Sequence, residues 1–215
     1  MDKMPKWADV ILTPLISLVL AMGISALVIL AIGESPVEAL TTMIDGALGS
    51  SYGWGFTLYY ATNFIFTGLA VMVAYHASLF NIGGEGQAAM GGLGVALVLL
   101  TLPLPHWALA LPAAMIGAAL FGAAWALIPA WLQARRGSHI VITTIMFNFI
   151  AAAALNYILV NLLRPVGSMD PASARFPNET HLPKLSDMAL SLGVEWGKNT
   201  PVNISFFVAV IACVL

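Results

Sequence analysis

The sequence predicts an all-α polytopic membrane protein, and three observations carry that reading. Of the 215 residues, 60% are hydrophobic and only 8% are charged, where an average soluble domain carries roughly 25% charge. Mean hydropathy is +0.92, so the chain lacks the polar groups to cover a globular surface. The apolar residues are also gathered into long runs, punctuated by glycine, proline and short charged clusters. A net charge of −2 gives no reason to expect nucleic acid as a partner. The single cysteine, Cys213, excludes an internal disulfide, and His76, His106, His139 and His181 lack the spacing of a metal site.

The runs, taken in order, predict spans at about 10–32, 56–79, 87–102, 107–132, 140–163 and 204–215 of a single transmembrane domain covering 1–215. The first follows Lys3 and Lys6 and is too long for a signal-peptide core, which spans about 7–15 residues. Glu34 to Ser51 holds three acids and no base, and its PVEALTTMIDGAL pattern predicts a short interfacial helix. The third span, ending at Pro103 and Pro105, is short for a full crossing, which places the preceding break within the membrane. The fourth stops at Arg135 and Arg136. Residues 164–200, with four bases, four acids and several prolines, read as a folded external loop. The last run reaches only Leu215, twelve residues where a span needs about 20; the sequence reads as part of a longer chain, truncated within its sixth span.

Charge sets the expected orientation. Lys3/Lys6 and Arg135/Arg136 are separated by an even number of spans, and the segments 33–53 and 103–106 contain no Lys or Arg. Short cytoplasmic segments are the basic ones, so the amino terminus is expected inside and the long loop outside. Small residues recur every four positions at Gly84, Ala88, Gly92 and Ala96, and again at Ala114, Ala118, Gly122 and Ala126. Such ridges let membrane helices approach closely.

The chain is organised around Phe80 to Gly94, FNIGGEGQAAMGGLG, with six glycines and a lone carboxylate between two apolar runs. Backbone that leaves the helix inside lipid must be buried in protein or line a wet cavity, and an ionisable residue there is a functional candidate. Gly83, Gly84 and Gly86 permit an unwound, closely approached backbone. A helix starting near Gln87 would aim its free N–H groups at the break; one starting at Ile82 would take Asn81 as its cap. Two readings stay open: a substrate site built on a discontinuous helix, or an ordinary turn with Glu85 solvated. Span five carries Thr144, Asn148, Ala152 and Asn156 at steps of four, a stripe that either lines a path or bonds between helices. Tyr60, Asn63 and Thr67 share a face of span two and are weighed the same way. Phe147, Phe149 and Tyr157 offer stacking surfaces for a ring-shaped solute or simply pack.

Two motif matches fail on context. Gly84-x-Gly86-x-x-Ala89 fits a dinucleotide fingerprint but lacks the strand and the downstream acid that fingerprint requires. Gly193 to Thr200, GVEWGKNT, is one residue short of a P-loop, and Asn199 separates Lys198 from Thr200.

FNIGGEGQAAMGG (80–92) together with SHIVITTIMFNFIA (138–151) resembles the permease subunit of bacterial ABC importers. The branch it resembles takes nucleosides and simple sugars and is related to ribose and branched-chain amino acid permeases. The Asn-Ile-Gly-x-Glu-Gly-Gln form at 81–87 favours nucleosides or nucleobases within that branch. The resemblance implies a fold related to the cobalamin permease type. It also implies a second permease chain, identical or homologous, a separate ATP-binding cassette subunit and an extracytoplasmic solute-binding protein, in a bacterial inner membrane. ATP and magnesium would reside on the partner, with no cofactor or metal in this chain and no reaction catalysed by it. The solute pathway would use Asn81, Gly83, Gly84, Glu85, Gly86, Gln87, Thr144, Asn148 and Asn156, with Tyr60, Asn63 and Thr67 as secondary candidates. The coupling segment that docks the ATPase is not seen before residue 215. The alternative, a self-sufficient ion-coupled secondary transporter, would want more than one buried ionisable group, and Glu85 is the only carboxylate at the break or in spans two to five. An intramembrane enzyme would need a nucleophile–base pair that the spans do not supply. A purely structural subunit would leave Glu85 dispensable.

Overall fold

The computed structural model describes residues 11–214; Lys3 and Lys6, on which the orientation rests, lie outside them. The chain forms two compact units, residues 1–57 and 58–215. Among the described residues there are helices, one isolated antiparallel bridge and no strands.

In the first unit, α1 (Thr13–Ala31) opens with Pro14 in its first turn, where the missing N–H costs nothing. Helix α2 (Pro36–Leu48) begins where Ser35 Oγ accepts from Glu38 N–H at 3.4 Å, with Pro36 at its first position and Glu38 in its first turn. Its last turn runs into the start of α3 (Ser51–His76), where Ser50 Oγ accepts from Gly53 N–H at 3.0 Å and Thr57 Oγ1 donates to Ala47 O at 2.9 Å. A Cβ on Gly53 would overlap Gly46 O, so only glycine allows this crossing.

The second unit is built around α4 (Gly84–Thr101), which packs against α5 (Trp107–Arg136) and α6 (Ile140–Ile158). Gly86, Gly91, Leu93, Gly94, Ala96 and Leu99 of α4 are buried. Where α4 meets α5 the two backbones touch: a Cβ on Gly117 would stand 2.8 Å from Gly94 O. The expected ridge on α4 is therefore displaced. Gly84 and Gly92 have open space beside them, and Gly91 and Gly94 make the approach. On α5, Ala118 and Gly122 of the expected ridge do face α4.

Helix α5 is capped by His106, whose Nδ1 accepts from Ala108 N–H at 3.2 Å, and it carries Pro112 and Pro129 inside. It closes at Gly137, whose φ of 66° is left-handed, after Arg135 and Arg136 have placed positive charge on the carbonyl end. Helix α6 continues into a π-helical turn, Leu159–Leu163. Residues 164–204 are folded, with a 3-10 turn (Asn178–Thr180), α7 (Leu185–Ser191) and a bridge between Lys184 and Asn203. Thr200 and Val202 are fully buried there. Asn203 Oδ1 then accepts from Ser205 N–H at 3.0 Å to start α8 (Ser205–Val214).

Among the described residues, four helices are long and apolar enough to cross a membrane: α1, α3, α5 and α6 with its π-helical turn. Helix α4 has 18 residues, about 27 Å at about 1.5 Å per residue against a hydrocarbon core of about 30 Å. Glu85 and Gln87 in its first turn lower its hydropathy below that of those four, and its glycines let it sit between its neighbours.

Candidate functional site

The break spans the residues between His76 and Gly84. Ser78 takes a left-handed φ of 58°, turning the chain out of α3. Helix α4 starts at Gly84, with Gly83 at the capping position, between the two starts the sequence allowed. Asn81 acts two residues earlier: its Oδ1 accepts from Gly83 N–H at 2.8 Å, and its Nδ2 donates to Gln87 Oε1 at 3.3 Å. Asn81 thus forms a local turn of the kind asparagine favours, and Gln87 reaches back to hold it.

The three glycines of the break have different tasks. A Cβ on Gly83 would fall 2.9 Å from Asn81 Oδ1 and 3.0 Å from Thr144 Cβ. One on Gly86 would fall 3.0 Å from Asn148 Oδ1 and 3.2 Å from Ala151 Cβ. Nothing stands within 4 Å of the corresponding point on Gly84.

Beside the break lies a cleft of about 720 Å³. Phe66, Thr67, Ala70 and Val71 of α3 form one wall; Phe80, Asn81, Ile82, Glu85 and Gln87 form the other. Glu85 is its one charged lining residue and is exposed. The lining is thus apolar surface, including two phenyl rings, with two carboxamides and a carboxylate at one side. That composition suits an uncharged solute with a flat or apolar face and several hydroxyl or N–H donors.

Of the residues picked out in the sequence, Asn81, Gly84, Glu85, Gln87 and Thr67 meet at this cleft. Gly83, Gly86, Thr144 and Asn148 meet behind it, where α6 crosses the start of α4. Asn156 is exposed and belongs to neither group. The reason is helical geometry: each step of four overshoots a full turn by roughly 40°, so Asn156 has turned roughly 120° from Thr144. The face of α6 turned to α4 runs instead through Thr144 and Ala151, 1% and 0% exposed. On α3, Asn63 Nδ2 donates to Tyr59 O at 3.3 Å, and Thr67 Oγ1 donates to Asn63 O and Phe64 O at 3.1 Å. Tyr60 is exposed with its ring edge-on to Tyr59. The buried polar residue of α3 is Thr62. The three aromatics of span five do not converge: Phe147 packs edge-on against Trp125 at 5.5 Å, while Phe149 and Tyr157 are exposed.

Phe66, Ala70, Val71, Phe80 and Ile82 are cleft residues that sequence reasoning missed. Thr67 on α3 was the available signal, since Ala70 and Val71 follow it at three and four positions and so share its face.

A glucose ABC transporter permease protein of Haloferax volcanii is 34% identical over 206 residues, covering 94% of this chain and 53% of that protein. A guanosine ABC transporter permease protein of Bacillus subtilis is 39% identical over 153 residues, covering 71% of this chain and 44% of its own length. A nucleoside ABC transporter permease protein of Lactococcus lactis is 32% identical over 209 residues, covering 95% and 56%. The chain thus spans about half the length of the curated relatives it matches. No solved structure matches it significantly. The sequence profile of the branched-chain amino acid transport system / permease component family matches residues 53–215, from the start of α3 through the break, α4, α5 and α6 to α8, and the chain belongs to that family.

Proposed function

We propose that this chain is the membrane-spanning permease subunit of an ATP-driven importer for nucleosides, nucleobases or simple sugars. The observation that carries the reading is the family match across 53–215, together with relatives whose names specify glucose, guanosine and nucleosides. The cleft beside the break gives the solute a place: carboxamides of Asn81 and Gln87 and the carboxylate of Glu85 for its polar groups, Phe66 and Phe80 for its apolar face. Thr144, Asn148 and Asn156 were expected along the same path, with Tyr60 and Asn63 as secondary candidates; of these, none lines the cleft.

In this reading ATP and magnesium act on a separate ATP-binding cassette subunit. A second permease chain completes the pathway, and a solute-binding protein delivers the cargo from outside. The fold is of the cobalamin permease type, the protein sits in a bacterial inner membrane with its amino terminus in the cytoplasm, and residues 164–200 face outward.

The test is uptake of radiolabelled guanosine, adenosine, uridine and glucose by cells carrying the full-length protein with its neighbouring subunits. Wild type, Glu85→Gln and an ATPase-dead partner are compared. Uptake is expected to vanish with the ATPase variant. It should fall about tenfold or more with Glu85→Gln, as befits loss of a charge-assisted hydrogen bond of about 1.5–3 kcal/mol. Uptake that survives the ATPase variant but collapses with an ionophore would make the protein a secondary transporter instead.

A further inference from the structure

Asn148 has its side-chain amide committed at both ends. Oδ1 accepts from Gly86 N–H at 2.9 Å, and Nδ2 donates to Ile82 O at 3.0 Å. These partners lie on opposite sides of the first residue of α4: one is a carbonyl of the break, the other an N–H of the first turn that has no partner within its own helix. One needs a donor and the other an acceptor, so a single orientation of the amide satisfies both. No carboxylate or aliphatic side chain can.

The surroundings are shaped for this contact. A Cβ on Gly86 would stand 3.1 Å from Asn148 Cα, and one on Gly83 would stand 3.0 Å from Thr144 Cβ. The α6 backbone therefore lies directly on the first turn of α4. Thr144 and Ala151, one turn to either side of Asn148, are fully buried, while Thr144 Oγ1 bonds only to Val141 O of its own helix, at 3.1 Å. Asn148 is the one polar link across the contact, and it fastens the backbone of the break rather than any side chain on it.

We infer that Asn148 is a positioning residue: a clamp that makes the start of α4 and helix α6 move as one body. Glu85 and Gln87 sit on the clamped turn and face the cleft, so any tilt of α6 carries the polar wall of the cleft with it. The inference rests on the permease reading for its consequence in transport. Its geometry stands independently of that reading.

The experiment uses the full-length chain, with Cys213 and every other native cysteine replaced by serine, assembled with its ATP-binding subunit in lipid nanodiscs. Nitroxide labels at Ala88 and Phe149, both exposed, report the distance between α4 and α6 by dipolar spectroscopy. With Asn148 present, the distance distribution is expected to be narrow and the same in nucleotide-free and ATP-bound complexes. Asn148→Ala and Asn148→Asp are both expected to broaden it. The aspartate fills the same volume and keeps the acceptor for Gly86 N–H, so a role in packing alone would leave it as narrow as wild type. A distance that shifts on ATP binding with Asn148 intact overturns the inference, because the clamp would then open in the cycle. An Asn148→Asp distribution matching wild type overturns it too. Absence of any ATP-dependent uptake by the native complex counts against the importer reading; the nucleotide-free comparison of variants still decides the clamp.

Discussion

Gly83, Gly84 and Gly86 look alike in sequence and differ only in what stands beside them. At Gly86 an added methyl meets Asn148 Oδ1 at 3.0 Å and Ala151 Cβ at 3.2 Å, and overpacking of this kind typically costs about 1–3 kcal/mol. At Gly84 it meets nothing. Gly86→Ala is expected to lower the thermal unfolding midpoint of the purified full-length protein, whereas Gly84→Ala should stay within about 0.5 kcal/mol of wild type. Equal loss from both variants would mean that backbone freedom, rather than close approach, is what glycine supplies here. Asn81 shows the same dependence on context. The sequence offers it as a helix cap, and it caps the turn that precedes the helix through Gly83 N–H.

Among the elements, α4 decides the arrangement. It is short, rich in glycine and flanked by α5 and α6, and it approaches α5 so closely that Gly94 and Gly117 touch through their backbones. A Cβ on Gly94 would overlap Gly117 O, so Gly94→Ala must push the helices apart and forfeit dispersion contacts along the whole seam. Gly94→Ala is expected to destabilise by about 2 kcal/mol or more, read as loss of folded protein in detergent, and Gly92→Ala to be tolerated because its side of α4 is open. At the far end of α5, Gly137 holds a φ of 66°. Gly137→Ala should cost about 1–2 kcal/mol from the left-handed backbone alone, measurable as a shift in the same melting curve. The helices follow the apolar runs, with α3 starting at Ser51 and α4 at Gly84, each a few residues before the run that suggested it. The face of α4 that meets α5 was not legible in the sequence, because small residues lie on every side of that helix and only the partner selects among them.

At the scale of the molecule, the apolar surface is turned outward. Leu18, Ile24 and Leu27 of α1 are each more than half exposed, which in water would be untenable and in lipid is the expected state. An arginine at Ile24, near the middle of α1, is expected to cost about 2.5–3.5 kcal/mol of membrane insertion, read as loss of protein from the membrane fraction. Val194, also more than half exposed but within the folded segment 164–204, should accept Val194→Arg without such loss. Insertion of both variants at wild-type levels would remove α1 from the lipid-facing surface.

By itself the sequence determined that the chain is helical and lives in a membrane, because composition and run length decide burial in lipid without reference to any partner. It also marked 80–94 as the stretch around which the chain is organised, of which only the part before Gly84 leaves the helix, and its two motifs pointed to the family. The tertiary structure alone decided how that element is used. It divided the glycines of the break between contact and open space and gave Phe66 and Phe80 to the cleft. It also set Asn148 on the backbone of the break, a bond between residues 62 positions apart. Hydrogen bonds of that separation follow from how two helices cross, and a crossing is a property of surfaces that linear spacing does not encode.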